Sequence, residues 1–299
     1  MQIQANGLAI EVDDQGPPNS PGGPPVLMLM GLGMQLIAWP EPLVAMLVAQ
    51  GRRVIRIDNR DAGLSEGMDR LGMPNLAWAT LRYLLHLPVH APYTIADMAA
   101  DTVGVLDALG LPTVQLVGAS MGGMIAQHVA AQHPQRVARL TLVMTTSGAR
   151  HLPQPGARVR AALIDRRAIA PGDLEALVDR LERVFTLIGS PAYRPQTDDQ
   201  REAFRERLRA SVRRAYRPAG VARQLVAVAA DGDRSALLAR IAAPTHVVHG
   251  SADPLVPVAA AHDLQAKIAG STLEVIEGMG HDLPAPLWPR LADAILRDG

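Results

Sequence analysis

The sequence predicts an α/β fold: a mostly parallel sheet with helices on both faces, interrupted late in the chain by a block of helices. Three observations carry this. Short apolar runs alternate with helical patterns through short connections, which implies parallel strands and right-handed crossovers. The alternation stops between about Ser147 and Arg234, where the chain turns helical and arginine-rich, and it resumes at Thr245. Finally, 48 % of the 299 residues are hydrophobic, enough for one large core with an inserted subdomain.

The elements follow in order. Residues 7–15 alternate like an opening strand, and a Pro/Gly/Ser turn occupies 16–25. Val26–Met30 is a continuous apolar run, the pattern of a strand buried on both faces. It ends in Gly31-Leu32-Gly33, before a helix over 39–50. A strand at Arg53–Asp58 leads into the loop 59–65, and a helix from about Ile95 to Leu109 precedes the strand at Thr113. Leu140–Met144 is the next strand. After the helical block come strand Thr245–His249, helix 257–269, strand Thr272–Ile276 and helix 286–297. The chain thus divides into a core, residues 1–146 and 235–299, and a helical cap, residues 147–234, expected to lie over the C-terminal strand ends. Within the cap, Leu174, Leu177, Val178, Leu181, Phe185 and Ile188 form one apolar stripe at helical spacing. Helix-on-helix packing accounts for such a stripe, and one end of it can also face a pocket.

Charge is balanced, 29 basic against 29 acidic residues, so no long-range field favours nucleic acid or an anionic membrane. The chain has no cysteine, which removes disulfides, thiol chemistry and thiolate metal sites. Its start lacks the charged-then-apolar layout of a signal peptide, and no apolar run reaches bilayer length. The expectation is a cytoplasmic protein without a membrane partner.

The chemistry centres on Thr113–Ala126. An apolar strand runs into Gly118-Ala119-Ser120-Met121-Gly122, and a helical pattern follows at once. A strand–turn–helix of this kind exposes the Ser120 hydroxyl and aims the first free N–H groups of the helix at whatever the serine attacks. Gly118 and Gly122 leave room where a Cβ would meet the neighbouring strand or helix. Gly-x-Ser-x-Gly alone arises by chance in about one chain in ten of this length, so its context matters. A serine needs a base, and the base an orienting acid. Asp253 follows the strand Thr245–His249, and His281 follows the strand ending at Glu277. In a parallel sheet these ends share one side, where α/β folds collect their ligands. Ser120, Asp253 and His281 can therefore converge. Asp282, beside the base, is the other available carboxylate; placement at a strand end favours Asp253.

Other features carry less. His246 and His249 are three apart on a strand and point to opposite faces, so no metal site is expected. Gly31-Leu32-Gly33 imitates a dinucleotide-binding turn, but Leu36 stands where its third glycine belongs; no cofactor is expected. Asp58 and Arg60 read as structural ties, and His128 and His133 as packing or surface residues.

Four motifs in order, Asp58–Ser65, Gly118–Gly123, His249–Asp253 and Gly278–Pro284, resemble the α/β-hydrolase superfamily. The closer similarity is to the aclacinomycin-methylesterase-like group of serine esterases. The resemblance implies Ser120 as nucleophile, His281 as general base then acid, and Asp253 as its orienter. It also implies an oxyanion hole from the backbone amides of Met121 and Leu32, with Gly33 and Met34 as alternatives to Leu32. Many family members carry His-Gly in that loop, whereas this chain has Met30-Gly31. The expected function is hydrolysis of small to medium apolar esters through an acyl-enzyme, since Met34, Met121, Met124, Met144 and Met279 suggest an adaptable apolar pocket. The same residues also serve lactone, amide or C–C hydrolysis, perhydrolysis and acyl transfer, or ligand reception without turnover. A histidine base works only when neutral, so activity is expected to fall on acidification through about pH 6–7.

Overall fold

The computed structural model describes residues 1–163, 169–170 and 172–297. Eight strands form one sheet: β1 (Gln2–Ala5), β2 (Leu8–Gln15), β3 (Val26–Leu29), β4 (Val54–Ile57), β5 (Val114–Ala119), β6 (Val137–Val143), β7 (Thr245–Gly250) and β8 (Thr272–Ile276). Their spatial order is β1-β2-β4-β3-β5-β6-β7-β8. β1 and β2 pair antiparallel at one edge, β2 joins β4 antiparallel, and all later neighbours are parallel.

The apolar runs pack as strands covered on both sides. Leu27 and Leu29 of β3 enter one core cluster, while Val26 and Met28 enter the other. The first core is closed by α3 (Ile95–Ala108), α4 (Met121–Gln132) and α10 (Ala259–Lys267). The second is closed by α1 (Glu41–Ala49) and α11 (Trp288–Leu296), which lie against each other. Ends are set locally. Thr94 begins α3 with a capping box, accepting from the Asp97 amide at 3.1 Å while Asp97 accepts from the Thr94 amide at 2.8 Å.

Two elements differ from the sequence expectation. β1 adds an edge strand before the opening one. A helix, α2 (Leu76–Leu84), lies between β4 and α3 and buries none of its own residues. In addition, β6 begins at Val137, three residues before the apolar run that marks it.

Between β6 and β7 the described helices are α5 (Ala157–Leu163), α6 (Leu174–Ile188), α7 (Asp198–Arg214), α8 (Pro218–Asp231) and α9 (Ser235–Leu238). α6 packs on α7, where Phe185 meets Phe204 edge-on at 6.3 Å. The stripe is thus mainly a helix–helix seam. α8 packs inward, contributing Ala227 to the first core. The segment is tied to the sheet by buried polar groups. Arg223 forms a two-point pair with Asp61, both contacts 2.7 Å, and Arg214 reaches Asp58 at 2.7 Å. The Gln35 side chain donates to the carbonyls of Ser211 at 2.7 Å and Ala215 at 2.9 Å.

Candidate active site

The turn between β5 and α4 holds Ser120 at φ 54°, ψ −120°, a conformation that costs a residue with a Cβ about 1–3 kcal/mol. The surroundings enforce it. A Cβ on Gly122 would lie 2.1 Å from the Leu29 carbonyl oxygen, and one on Gly118 2.4 Å from that of Gly122. Strand and helix therefore approach too closely for side chains there, and the chain reverses sharply at Ser120. The Ser120 carbonyl accepts from the Gly123 amide at 2.9 Å and from Thr145 Oγ1 at 2.7 Å, which locks the apex.

β7 and β8 are neighbours, so the loops that follow them knit together. The Ala252 amide donates to the Met279 carbonyl at 3.0 Å, and the Gly278 amide to Ser251 Oγ at 2.9 Å. This brings Asp253 to His281 across 28 residues of chain, with Asp253 Oδ2 2.7 Å from His281 Nδ1. The other oxygen, Oδ1, accepts from the amides of Leu255 and Val256, both at 2.8 Å. The carboxylate is thereby fixed in orientation. On its far side, His281 Nε2 lies 3.0 Å from Ser120 Oγ. Asp253 and His281 are buried, whereas Ser120 is half-buried.

Asp282 faces elsewhere. Its Oδ1 accepts from the Ser190 amide at 3.0 Å and from the Ser190 hydroxyl. Burial pushes its pKa up, although both Ser190 bonds oppose the rise. Of the two carboxylates, Asp253 is the one bonded to the His281 ring, and Asp282 is turned to Ser190.

In the loop after β3, Gly31-Leu32-Gly33-Met34 forms a turn closed by a bond from the Met34 amide to the Gly31 carbonyl at 3.1 Å. Gly33, at φ 67°, takes the left-handed position that such a turn requires. Its amide donates to Gln224 Oε1 at 2.7 Å. Gly33 and Met34 thus have their amides engaged, while the Leu32 amide has no partner among the described residues. The loop passes close to the serine: a Cβ on Gly31 would lie 3.4 Å from Ser120 Oγ. Met121 is the first residue of α4, where backbone N–H groups lack intrahelical partners.

The remaining candidates are structural. Asp58 is fully buried and accepts from the amides of Leu36 (2.6 Å) and Leu64 (2.8 Å). Arg60 pairs with Asp101 through two contacts, 2.5 and 2.6 Å. His128 pairs with Asp231 at 2.8 Å. His246 contacts Thr272 and Glu274 of β8, whereas His249 lies wholly inside, donating to the Val256 carbonyl at 2.7 Å. Burial lowers the His249 pKa, against the Val256 carbonyl and the nearby Asp253 carboxylate. No group of three His, Cys, Asp or Glu is placed to hold a metal among the described residues.

The sequence reading missed Ser190 and Gln224. Ser190 Oγ accepts from the Gly280 amide at 2.8 Å, and two residues earlier the Ile188 carbonyl accepts from the His281 amide at 2.8 Å. The end of the α6 stripe thus sits against the His281 loop. Gln224 stands beside Arg223 on the face that α8 buries with Gly220 and Ala227, and nothing in that pattern points to Gly33.

The sheet order and the serine turn define a class. The chain belongs to the α/β hydrolase fold family, whose model matches residues 24–284. It is 28 % identical over 295 residues to rhodomycin D methylesterase of Streptomyces peucetius, covering 92 % of this chain and 90 % of that protein. It is 32 % identical over 216 residues to pimeloyl-(acyl-carrier protein) methyl ester esterase of Chromobacterium violaceum, covering 71 % and 80 %. Among solved structures, a meta-cleavage product hydrolase from Pseudomonas fluorescens superposes with a TM-score of 0.72 at 18 % identity, covering 99 % of this chain and 96 % of that one. That last likeness concerns the fold.

Proposed function

We propose that this chain is a serine hydrolase of carboxylic esters, acting through an acyl-enzyme on small to medium apolar substrates. The carrying observation is the hydrogen-bonded line from Asp253 through both ring nitrogens of His281 to Ser120. With its Nδ1–H donated to Asp253, the His281 ring presents a free lone pair at Nε2 to the serine hydroxyl. Ser120 Oγ attacks the ester carbonyl as Nε2 takes its proton. The Met121 and Leu32 amides stabilise the oxyanion that forms. His281 returns the proton to the departing alcohol, and water, deprotonated by His281, then attacks the acyl-enzyme and releases the acid.

Both relatives named above as esterases act on methyl esters by name, which supports the ester as the bond cleaved. The buried Met121, Met124, Met144 and Met279 support an apolar pocket that adapts to its contents. We read residues 147–234 as a cap that frames this pocket. No described helix is long and apolar enough to cross a membrane. With the balanced charge and absent cysteines, this supports a cytoplasmic enzyme whose partner is a small-molecule ester and neither nucleic acid nor membrane.

The test is hydrolysis of a chain-length series of nitrophenyl esters by wild type and Ser120→Ala. Turnover that disappears in the variant upholds the reading, and the optimum length measures the pocket. A folded wild type that cleaves no ester shifts the reading to lactone, amide or C–C chemistry, or to ligand reception.

A further inference from the structure

Gln224 lies on α8 and is fully buried. Its Oε1 accepts from the Gly33 amide at 2.7 Å, and its Nε2 donates to the Arg60 carbonyl at 2.8 Å. One planar amide thus joins the loops that follow β3 and β4. The neighbouring Arg223 is held by Asp61 at two points and by the Gly72 carbonyl at 2.8 Å. This turn of α8 is therefore a rigid support. A buried amide is costly unless its donors and acceptor are met, and here both ends are used on backbone groups, one of them in the loop that passes Ser120.

The bond to Gly33 has a specific consequence. Gly33 N–H belongs to the peptide plane that joins Leu32 to Gly33, so the bond fixes one of the two planes that meet at the Leu32 Cα. The Leu32 N–H lies in the other, which the turn closed by the Met34 amide on the Gly31 carbonyl holds. The bond also removes the Gly33 amide from competition as a donor. A transition-state donor must be held within about 0.5 Å of its productive position, and small displacements at such a site cost up to about a hundredfold in rate.

We propose that Gln224 is a positioning residue for the reaction: it anchors the loop that presents the Leu32 amide to the oxyanion formed at Ser120. This rests on the serine-esterase reading above. It makes a helix of the inserted segment part of the catalytic geometry.

The test compares wild type with Gln224→Met, which keeps the length without the polar contacts, and Gln224→Asn, which withdraws the oxygen from Gly33. Val226→Ala on the same helix is a packing control. Each variant is checked for folding by its melting temperature. In the Gln224 variants, kcat is expected to fall about 10–100-fold with KM within about threefold. Affinity for an alkylboronic acid, which mimics the tetrahedral intermediate, should fall by a similar factor. Val226→Ala should lower Tm and leave kcat within about twofold. Wild-type kcat in either folded Gln224 variant overturns the proposal alone, as does an equal kcat loss in Val226→Ala. Absence of Ser120-dependent ester turnover in wild type overturns the esterase reading, and the proposal falls with it.

Discussion

The Ser190 hydroxyl is shared with the Asp282 carboxylate, one residue after the candidate base. Ser190 donates to Asp282 and accepts from the Gly280 amide at 2.8 Å. The chain leaving α6 is thus bonded to both residues that flank His281. Removing the hydroxyl leaves the Gly280 amide unpaired in a buried place, which costs about 1–3 kcal/mol. Ser190→Ala should therefore lower Tm visibly in calorimetry, with kcat reduced less than tenfold.

The two carboxylates beside His281 separate by kinetics. Asp253→Asn should cost about 10⁴ in kcat, since the amide favours the wrong imidazole tautomer. Asp282→Asn should act mainly on stability. Side-by-side kcat measurements decide this. A nearly silent Asp253→Asn with a crippled Asp282→Asn reverses the assignment.

Ser120→Ala should reduce kcat by about 10⁴–10⁶. Its stability should be compared with that of Ser120→Gly. Both lose the hydroxyl, but only glycine adopts φ 54°, ψ −120° without strain. The strain of about 1–3 kcal/mol exceeds the unfolded-state entropy that glycine adds, about 0.4–1 kcal/mol. The glycine variant should thus show the higher urea midpoint.

Asp61 gives a pH prediction. Burial alone would raise its pKa, yet bonds from Arg223, the Met68 amide and the Tyr93 hydroxyl hold it below the usual carboxylate range. A depressed pKa in the folded state contributes stability that is present above the unfolded value, about 3.9, and is lost as pH falls through the folded one. Asp61→Asn also leaves the buried Arg223 with the exposed Asp69, at 2.8 Å, as its remaining carboxylate, a loss of up to about 3 kcal/mol at neutral pH. The gap in urea midpoint between wild type and variant should be constant from pH 7 to about 5 and close below about pH 4.

What the sequence revealed depended on how local each signal was. That Ser120, Asp253 and His281 meet was legible because each stands in the connection after a parallel strand, and the topology puts those connections on one side. The helix α2 was not, since Trp78, Leu81 and Leu84 stay exposed and no buried face marks it. β1 is only four residues long and takes its identity from pairing with β2. The ties of Ser190 and Gln224 span 90 and 191 residues. They exist only once the helices after β6 have docked, so no pattern along the chain announces them.

Asp58 is buried without exposure and takes one of its bonds from Arg214, 156 residues away on α7. This makes the helices after β6 poor material for exchange between relatives. A graft that brought a different α7 would take away the cation that meets the carboxylate, while a change at 58 alone would leave the arginine with the neutral Gln35 side chain in its place. Divergence at either position has to be matched at the other, so positions of α7 away from this anchor are freer to drift than Arg214 is. Descendants of this protein can change the rest of that helix surface more freely than they can replace the block that supplies the cation.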